Sequence, residues 1–213
     1  MKNNYYGRER ICASFIDTKI NGKTLNIGGG EILWIENDLF LNNPNFISSD
    51  IDEKNLGEKN KARNKIVMDA RRIPLQNDEL SQIIMLDVLE HIKEDKIALN
   101  EINRVLKKDG KFVICVPNDT FLSFLNPIRY AQHERHYTLK RITNLLEKNG
   151  FKIEKFFAGG GIFELANLYV HLIIKYSTGK IINLKFFDKL RDMEYKNHKK
   201  SGNEIIIKAI KKW

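Results

Sequence analysis

The residues of this chain that could do chemistry begin with three consecutive glycines, Gly28, Gly29 and Gly30, directly after an apolar run. A second apolar run ends in Asp50, about 20 residues further on. Glycines after a strand let the backbone approach a ligand closely, because no Cβ stands in the way. A carboxylate at the tip of the next strand can accept hydrogen bonds from both hydroxyls of a ribose. This spacing predicts a nucleoside site.

Alternating strands and helices must position these groups. The apolar patterns predict seven strands, at residues 24–27, 46–49, 65–68, 81–86, 112–116, 151–157 and 203–209. Helices are predicted at residues 8–20, at 93–107 and, capped by Thr138, up to residue 148. We expect an α/β fold with a doubly wound sheet, in a single domain over residues 1–213 with a helical insertion at about 160–202.

The composition indicates which kinds of binding partner and which cellular compartment to expect. A hydrophobic content of 42% and a charged content of 30% are ordinary for a globular protein. The net charge of +9 lies in residues 111–213, where 19 Lys/Arg face 9 Asp/Glu, and it favours anionic partners such as phosphorylated metabolites, nucleic acid or anionic lipid. A generally lysine-rich composition is the alternative. Cys12 and Cys115 lack disulfide or metal spacing and the N-terminus lacks a signal-peptide pattern, so we expect a cytoplasmic protein.

The glycine turn departs from the dinucleotide pattern G-x-G-x-x-G, because Leu33 stands at the last position. A single glycine turn with an acid suits a ligand that has a ribose but no diphosphate, such as S-adenosylmethionine (SAM). Four downstream segments follow in a familiar order: residues 69–75 (DARRIPL), 83–92 (IIMLDVLEHI), 101–110 (EINRVLKKDG) and 113–118 (VICVPN). Over about residues 24–157 the chain resembles a class I, Rossmann-like, SAM-dependent methyltransferase of the type-11 kind.

The resemblance implies a set of cofactor contacts. The turn would meet the methionine half of SAM, Asp50 with Ile51 would hold the ribose, and Asp69 with Ala70 would lie at the adenine edge. Leu86 and Asp87 would lie next to the reacting methyl group. The implied cofactor site is Asn26, Gly28, Gly29, Gly30, Asp50, Ile51, Asp69, Ala70, Leu86 and Asp87. A simple tight turn at the glycines, and a helix N-cap at Asp50, are the structural alternatives.

Two positions depart from the family pattern. The family usually has Asp where this chain has Asn26, so one negative charge near the cofactor's ammonium group is expected to be absent. The third glycine of the family's turn is replaced by Ile32. Both changes point to weaker SAM binding, and they leave open a catalytically degenerate SAM-fold binding protein.

Methyl transfer from a sulfonium depends mainly on positioning, and a base is needed only where the acceptor must lose a proton. The catalytic candidates are His91 and His136. His136 belongs to a polar cluster at residues 133–137 that also contains His133. The alternatives are a supporting hydrogen bond for His91 and a polar loop before Thr138 for the other two.

A metal site is also conceivable. Spacing of i, i+3 and i+4 would put Asp87, Glu90 and His91 on one helical face, similar to the Glu-x-x-Glu-His of some 2′-O- and O-methyltransferases. Because type-11 enzymes without a metal share a Leu-Glu-His sequence, we expect no metal.

The acceptor is what the sequence describes least. We expect O-methylation of a small molecule or a glycan-linked metabolite, with RNA methylation as the alternative reaction. An apolar stretch at residues 162–176 predicts a core helix or a lid over the substrate, and the basic residues after it make peripheral membrane contact the alternative. The oligomeric state is left open.

Overall fold

The computed structural model describes residues 5–30, 33–131, 134–179, 185–196 and 202–213. Its centre is one seven-stranded sheet in the order β3-β2-β1-β4-β5-β7-β6. The strands are β1 (Lys23–Ile27), β2 (Phe46–Asp50), β3 (Asn64–Val67), β4 (Leu80–Leu86), β5 (Leu106–Pro117), β6 (Phe151–Gly159) and β7 (Glu204–Lys211). Strand β7 runs antiparallel to both of its neighbours, and the other pairs are parallel. The predicted α/β, doubly wound, mostly parallel seven-stranded sheet is confirmed.

Helices cover the sheet and extend beyond it. They are α1 (Gly7–Phe15), α2 (Asp95–Val105), α3 (Pro127–Ala131), α4 (Leu139–Lys148), α5 (Ile162–Thr178) and α6 (Lys185–Glu194). Short helical turns lie at Ile35–Leu39 (π), and at Glu53–Leu56, Leu89–His91 and Phe121–Leu125 (3₁₀). The predicted helical insertion is therefore α5 and α6, both of which lie between β6 and β7.

Strand β4 is the middle of the core because it is buried on both faces along its whole length. On one face, Ile83 and Met85 pack in a cluster with apolar residues of α2 and α4. On the other face, Ile84 and Leu86 pack with α1 and with the segment around Ile35. A strand covered by helices on both sides needs an unbroken apolar run, which explains why this strand was predicted with little error.

Helix α1 is shorter than predicted, because it ends at Phe15 rather than at residue 20. Ile16 has extended backbone angles, and the chain then pairs with the amide side chain of Gln82 in β4: Asp17 N donates to Gln82 Oε1 at 2.9 Å and Gln82 Nε2 donates to Asp17 O at 3.1 Å. A contact over 65 residues thus overrides the local helical pattern.

Residues 109–110, between the predicted helix at 93–107 and the predicted strand at 112–116, belong to an irregularity inside β5. Leu106 already pairs with Leu80, the register then shifts, and Lys111 pairs with Gln82. Asp109 takes a positive φ of 61° within this irregularity. By contrast, the predicted cap of α4 is confirmed, because Thr138 Oγ1 accepts a hydrogen bond from Arg141 N at 3.2 Å.

Along the residues that the structure describes, each helix is too short or too polar to traverse a lipid bilayer.

Candidate functional site: two adjoining cavities

A first cavity of about 860 Å³ opens at the carboxyl ends of β1, β2 and β4. Strands β1 and β4 are neighbours, but the chain leaves them towards opposite edges of the sheet, and such a switch point is where open α/β sheets bind ligands. Seven of the ten predicted cofactor contacts line this cavity: Gly28, Asp50, Ile51, Asp69, Ala70, Leu86 and Asp87. Residues far apart in sequence are thus gathered at one sheet edge.

The glycine turn passes very close to its surroundings. Gly28 has a φ of +78°, and a Cβ built on it would lie 2.2 Å from Val88 Cγ2. A Cβ built on Gly30 would lie 2.6 Å from Asp50 Oδ2. Neither position has space for a side chain, so the bare backbone of the turn lies directly against the carboxylate at the end of β2.

Asp50 is held rigidly at the cavity wall. Its side chain Oδ1 accepts hydrogen bonds from Asp52 N at 3.0 Å and from Asn55 Nδ2 at 3.1 Å, while Oδ2 lies on the side of Gly30. The cap of the following 3₁₀ turn is Asp52, whose side chain accepts from Lys54 N at 2.9 Å. The N-cap of this turn is therefore Asp52 and not Asp50, so the alternative role considered for Asp50 does not apply.

Asp69 lies at the cavity wall in an ion pair. Arg71 donates to both of its oxygens, with an Nη2–Oδ2 distance of 2.6 Å, and this hydrogen bonding lowers the pKa of Asp69. Arg71 also reaches Glu94 at 2.7 Å. The carboxylate of Asp69 is thus kept ionised at the edge where an adenine amino group is expected.

Acidic groups crowd around one arginine where the cavity meets helix α1. Arg8 Nη1 lies 2.7 Å from Asp87 Oδ2 and 3.8 Å from Glu204 Oε1. Asp87 raises the pKa of Arg8, and burial raises the pKa of Glu204 to about 8, although Arg8 opposes this. Burial, then the charge of Asp87, raises the pKa of Glu90 well above its ordinary value. Both effects favour the protonated form of the Glu90 side chain.

A buried carboxylate that the sequence analysis missed lies beneath the glycine turn. Glu36 Oε1 accepts hydrogen bonds from Asn26 Nδ2 at 2.6 Å and from Ser48 Oγ at 2.9 Å. A Cβ on Gly29 would lie 2.4 Å from the same oxygen. Burial raises the pKa of Glu36, and the two hydrogen bonds oppose that rise. Position 26 itself carries no carboxylate, as expected. Glu36, from the π-helical turn, nevertheless places a carboxyl group next to Asn26.

Three predicted contacts lie outside the lining of the first cavity. Asn26 is buried under the turn, Gly29 faces Ser48 and Glu36, and Gly30 faces Asn55 and Asp50. Their positions support the turn rather than the cavity surface. Ile32 and His133 fall outside the described residues.

A second cavity of about 290 Å³ adjoins the first and shares Arg8, Pro117, Asn126 and Glu204 with it. Helix α5 forms one wall, so the insertion contributes to this cavity. The lining mixes carboxylates, cations and amides, including Glu164, Arg191, Asn167, Asn203 and His136. These groups can hydrogen-bond to a polar molecule in many directions.

The two candidate histidines lie on either side of Glu134. His91 lines the first cavity, with Nε2 4.0 Å from Glu134 Oε1, and His136 lines the second, with Nε2 3.7 Å from Glu134 Oε2. His136 Nδ1 lies 3.3 Å from Asn118 O. Because a carbonyl only accepts, Nδ1 carries the proton and the lone pair of neutral His136 is on Nε2. That buried Nε2 has no hydrogen-bond partner among the described residues.

The helical face proposed for a metal does not form. Asp87 follows β4 with a φ of +56°, and only Leu89–His91 is helical, as a 3₁₀ turn. Among the described residues, the potential ligand atoms that gather within 4.8 Å are those of Asp87, Cys115 and Glu204. Arg8 is paired with Asp87 in this group, and burial with a Cys12 hydrogen bond raises the pKa of the Cys115 thiol. The spacing of Asp87, Glu90 and His91 was therefore misread.

Part of the chain matches known proteins in sequence. Residues 25–114 match the family model of a type-11 methyltransferase domain. A protein of Mycolicibacterium smegmatis named "Probable S-adenosylmethionine-dependent methyltransferase" is 31% identical over 101 residues, which are 44% of this chain and 38% of that protein. The chain thus matches less than half of the length of that relative.

Solved structures share the fold over nearly the whole chain. A SAM-dependent methyltransferase of Mesorhizobium loti superimposes with a TM-score of 0.64 at 13% identity, covering 95% of this chain and 96% of that one. Phosphoethanolamine N-methyltransferase 2 of Haemonchus contortus, solved with SAM, gives a TM-score of 0.65 at 20% identity over 96% of this chain and 52% of that one. The chain thus shares a matched methyltransferase domain over residues 25–114 and the sheet of these solved structures.

Proposed function

We propose that this protein transfers a methyl group from SAM, held in the first cavity, to an acceptor that enters the second cavity. The observation that carries the proposal is that Gly28 of the glycine turn and the carboxylate of Asp50 line the same open cleft. A cleft filled by side chains would instead favour the degenerate binding protein. We also propose that residues 1–213 act as one methyltransferase domain, with α5 and α6 as part of the acceptor site.

The residues of the first cavity fit the chemical groups of SAM. Asp50 would accept hydrogen bonds from the ribose hydroxyls, beside Ile51. Ala70 and the ionised Asp69 would meet the adenine edge, and the backbone of Gly28 would meet the methionine half. Leu86 and Asp87, at the end of β4, would lie nearest to the reacting centre. When bound, SAM supplies an electrophilic methyl group on sulfur that departs as a neutral thioether.

This chain's own contribution is to orient the two substrates and to exclude water. Arg8 bridges the cavities through Asp87 and Glu204, and this ion pair fixes α1 over their junction. The raised pKa of Glu90 favours its protonated form, which would limit the negative charge beside Asp87. Held in this way, the junction would bring donor and acceptor into line.

The acceptor side supports O-methylation of a small or glycan-linked molecule. The amides of Asn126, Asn167 and Asn203 and the carboxylate of Glu164 are groups that hydrogen-bond to hydroxyls. A hydroxyl must lose a proton as it is methylated, and His136, which lines the second cavity, has an Nε2 without a hydrogen-bond partner among the described residues. We assign His136 the role of general base. The mixed charge of this lining favours a polar acceptor over an RNA phosphate backbone.

Calorimetric titration with SAM and with S-adenosylhomocysteine tests the donor half of the proposal. Both ligands should bind, and Asp50→Ala should weaken binding by about 1.5–3 kcal/mol, or about 10- to 150-fold. Glu53→Gln is the matched control, because it removes a nearby exposed charge outside the cavity. No measurable binding to the wild-type protein, or unchanged affinity in Asp50→Ala, would contradict the assignment.

A further inference from the structure

Helix α5 is amphipathic, but its apolar face is exposed to solvent and its polar face points into the protein. Ile162, Tyr169, Ile173 and Tyr176, spaced by seven, four and three residues, fall on one face of the helix and are all exposed. We call these four residues the outer stripe. Ile173 is 65% exposed and Tyr176 84% exposed. The opposite face points into the second cavity with Glu164, Asn167 and His171, together with Leu165 and Leu168.

The outer stripe continues onto a neighbouring apolar surface. Tyr169 donates from its hydroxyl to Leu125 O at 2.6 Å, which ties α5 to the 3₁₀ turn Phe121–Leu125. Phe121 (82% exposed), Phe124, Leu125 and Tyr130 form the rim of this surface. Exposed apolar surface of this extent is uncommon on a monomer and marks an interaction site.

Charge indicates what covers this surface. Residues 160–202 hold eight Lys/Arg and four Asp/Glu. All four carboxylates make internal contacts. Asp192 pairs with Arg10, and Glu194 accepts hydrogen bonds from Phe163 N and Glu164 N.

The other two carboxylates of the segment contact Arg191 or Tyr195. Tyr195 donates to Glu164 at 2.6 Å, and Asp188 lies 4.0 Å from Arg191. Lys175, Lys189 and Lys196, by contrast, are exposed. The outward charge of the described part of this segment is therefore positive.

We propose that the outer stripe and its rim dock onto an anionic phospholipid surface. Aromatic and aliphatic side chains enter the headgroup region, as in interfacial amphipathic helices, while the positive outward charge of the segment attracts the anionic surface. A second copy of this chain carries the same positive segment, and the like charges would oppose association of two copies. The same helix thus separates the second cavity from the membrane.

Flotation of the full chain with vesicles tests the proposal. We expect binding to phosphatidylcholine vesicles that contain phosphatidylglycerol, little binding to phosphatidylcholine alone, and release by added salt. Ile173→Asp should lower the bound fraction about tenfold, because it puts a charge at the lipid contact. Ile97→Asp is the matched control, since Ile97 is an exposed isoleucine on α2. Lys175→Glu with Lys189→Glu should also weaken binding, and Lys96→Glu should not.

Sedimentation velocity of the same variants completes the test. A monomer whose flotation follows the pattern above supports the proposal. It would be overturned by absence of flotation, by equal binding to neutral and anionic vesicles, or by equal effects of Ile173→Asp and Ile97→Asp. It would also be overturned by a dimer that Ile173→Asp dissociates, because the outer stripe would then join two copies. Circular dichroism of each variant reports folding independently.

Discussion

Arg8 of the N-terminal helix and Asp87 at the end of β4 form an ion pair with a 2.7 Å Nη1–Oδ2 distance. These residues are 79 positions apart in the sequence, and they meet at the wall that separates the two cavities. The pair links the first helix to the strand end that lies nearest to the proposed reacting centre.

Replacing Arg8 should therefore destabilise the fold. Arg8→Met leaves Asp87 and Glu204 without their shared cation, at a cost of about 1–3 kcal/mol in the free energy of unfolding. Urea titration measures this cost, with Arg63→Met, at an exposed position, as the control. Equal midpoints for both variants would show that the ion pair contributes no stability.

The stability of the protein should depend on pH through Glu204. Its pKa is raised from 4.5 to about 8 by burial, so the folded state binds a proton that the unfolded state has already released between these values. Stability from this group is therefore present below its unfolded pKa and is lost as pH rises towards the folded pKa.

Glu204→Gln removes this dependence. The free energy of unfolding of the variant, relative to wild type, should rise by on the order of 5 kcal/mol from the acidic to the alkaline end of that range. Urea titrations at a series of pH values measure the difference. A difference that stays constant across the series would exclude a raised pKa at Glu204.

His136 should matter for the chemical step and His91 much less. His136→Gln removes the imidazole that lines the second cavity and should lower kcat by about 10²–10⁴ while leaving the Kd for SAM unchanged. His91→Gln is the matched variant, because His91 lines the first cavity and is partly exposed. Single-turnover methyl transfer and calorimetry separate the two effects. Equal losses of kcat in both variants would remove His136 from the role of base.

Moving the carboxylate from position 36 to position 26 tests whether Asn26 and Glu36 act as a pair. Asn26→Asp alone puts two carboxylates within hydrogen-bond distance in a buried site, and we expect a loss of about 1–3 kcal/mol in stability. Asn26→Asp combined with Glu36→Gln restores one carboxylate and one amide, so the double variant should recover most of that loss. Urea unfolding of Asn26→Asp, of Glu36→Gln and of the double variant measures the recovery. Additive losses would mean that Glu36 and Asn26 do not act as a pair.

Much of this architecture could be predicted because its signals are local. Strand β4 is an apolar run buried on both faces, and Thr138 is a cap next to a periodic helix. The glycine turn and Asp50 are predicted by spacing, since both follow strands of one βαβ unit.

The remainder depends on contacts that no local pattern contains. Glu36 lies in a segment with no helical or strand periodicity and is buried only because Asn26 and Ser48 bind it. Gln82 ends α1 early through a contact over 65 residues. The reading of Asp87, Glu90 and His91 as one helical face was wrong because Asp87 adopts a positive φ and the helix is limited to a 3₁₀ turn.

The most direct measurement is a crystal structure of the protein with S-adenosylhomocysteine. We predict adenosine density in the first cavity, with both ribose hydroxyls within hydrogen-bond distance of the Asp50 carboxylate and the thioether sulfur near Leu86 and Asp87. Density for the nucleoside elsewhere, or a ribose without contact to Asp50, would contradict the proposed donor site.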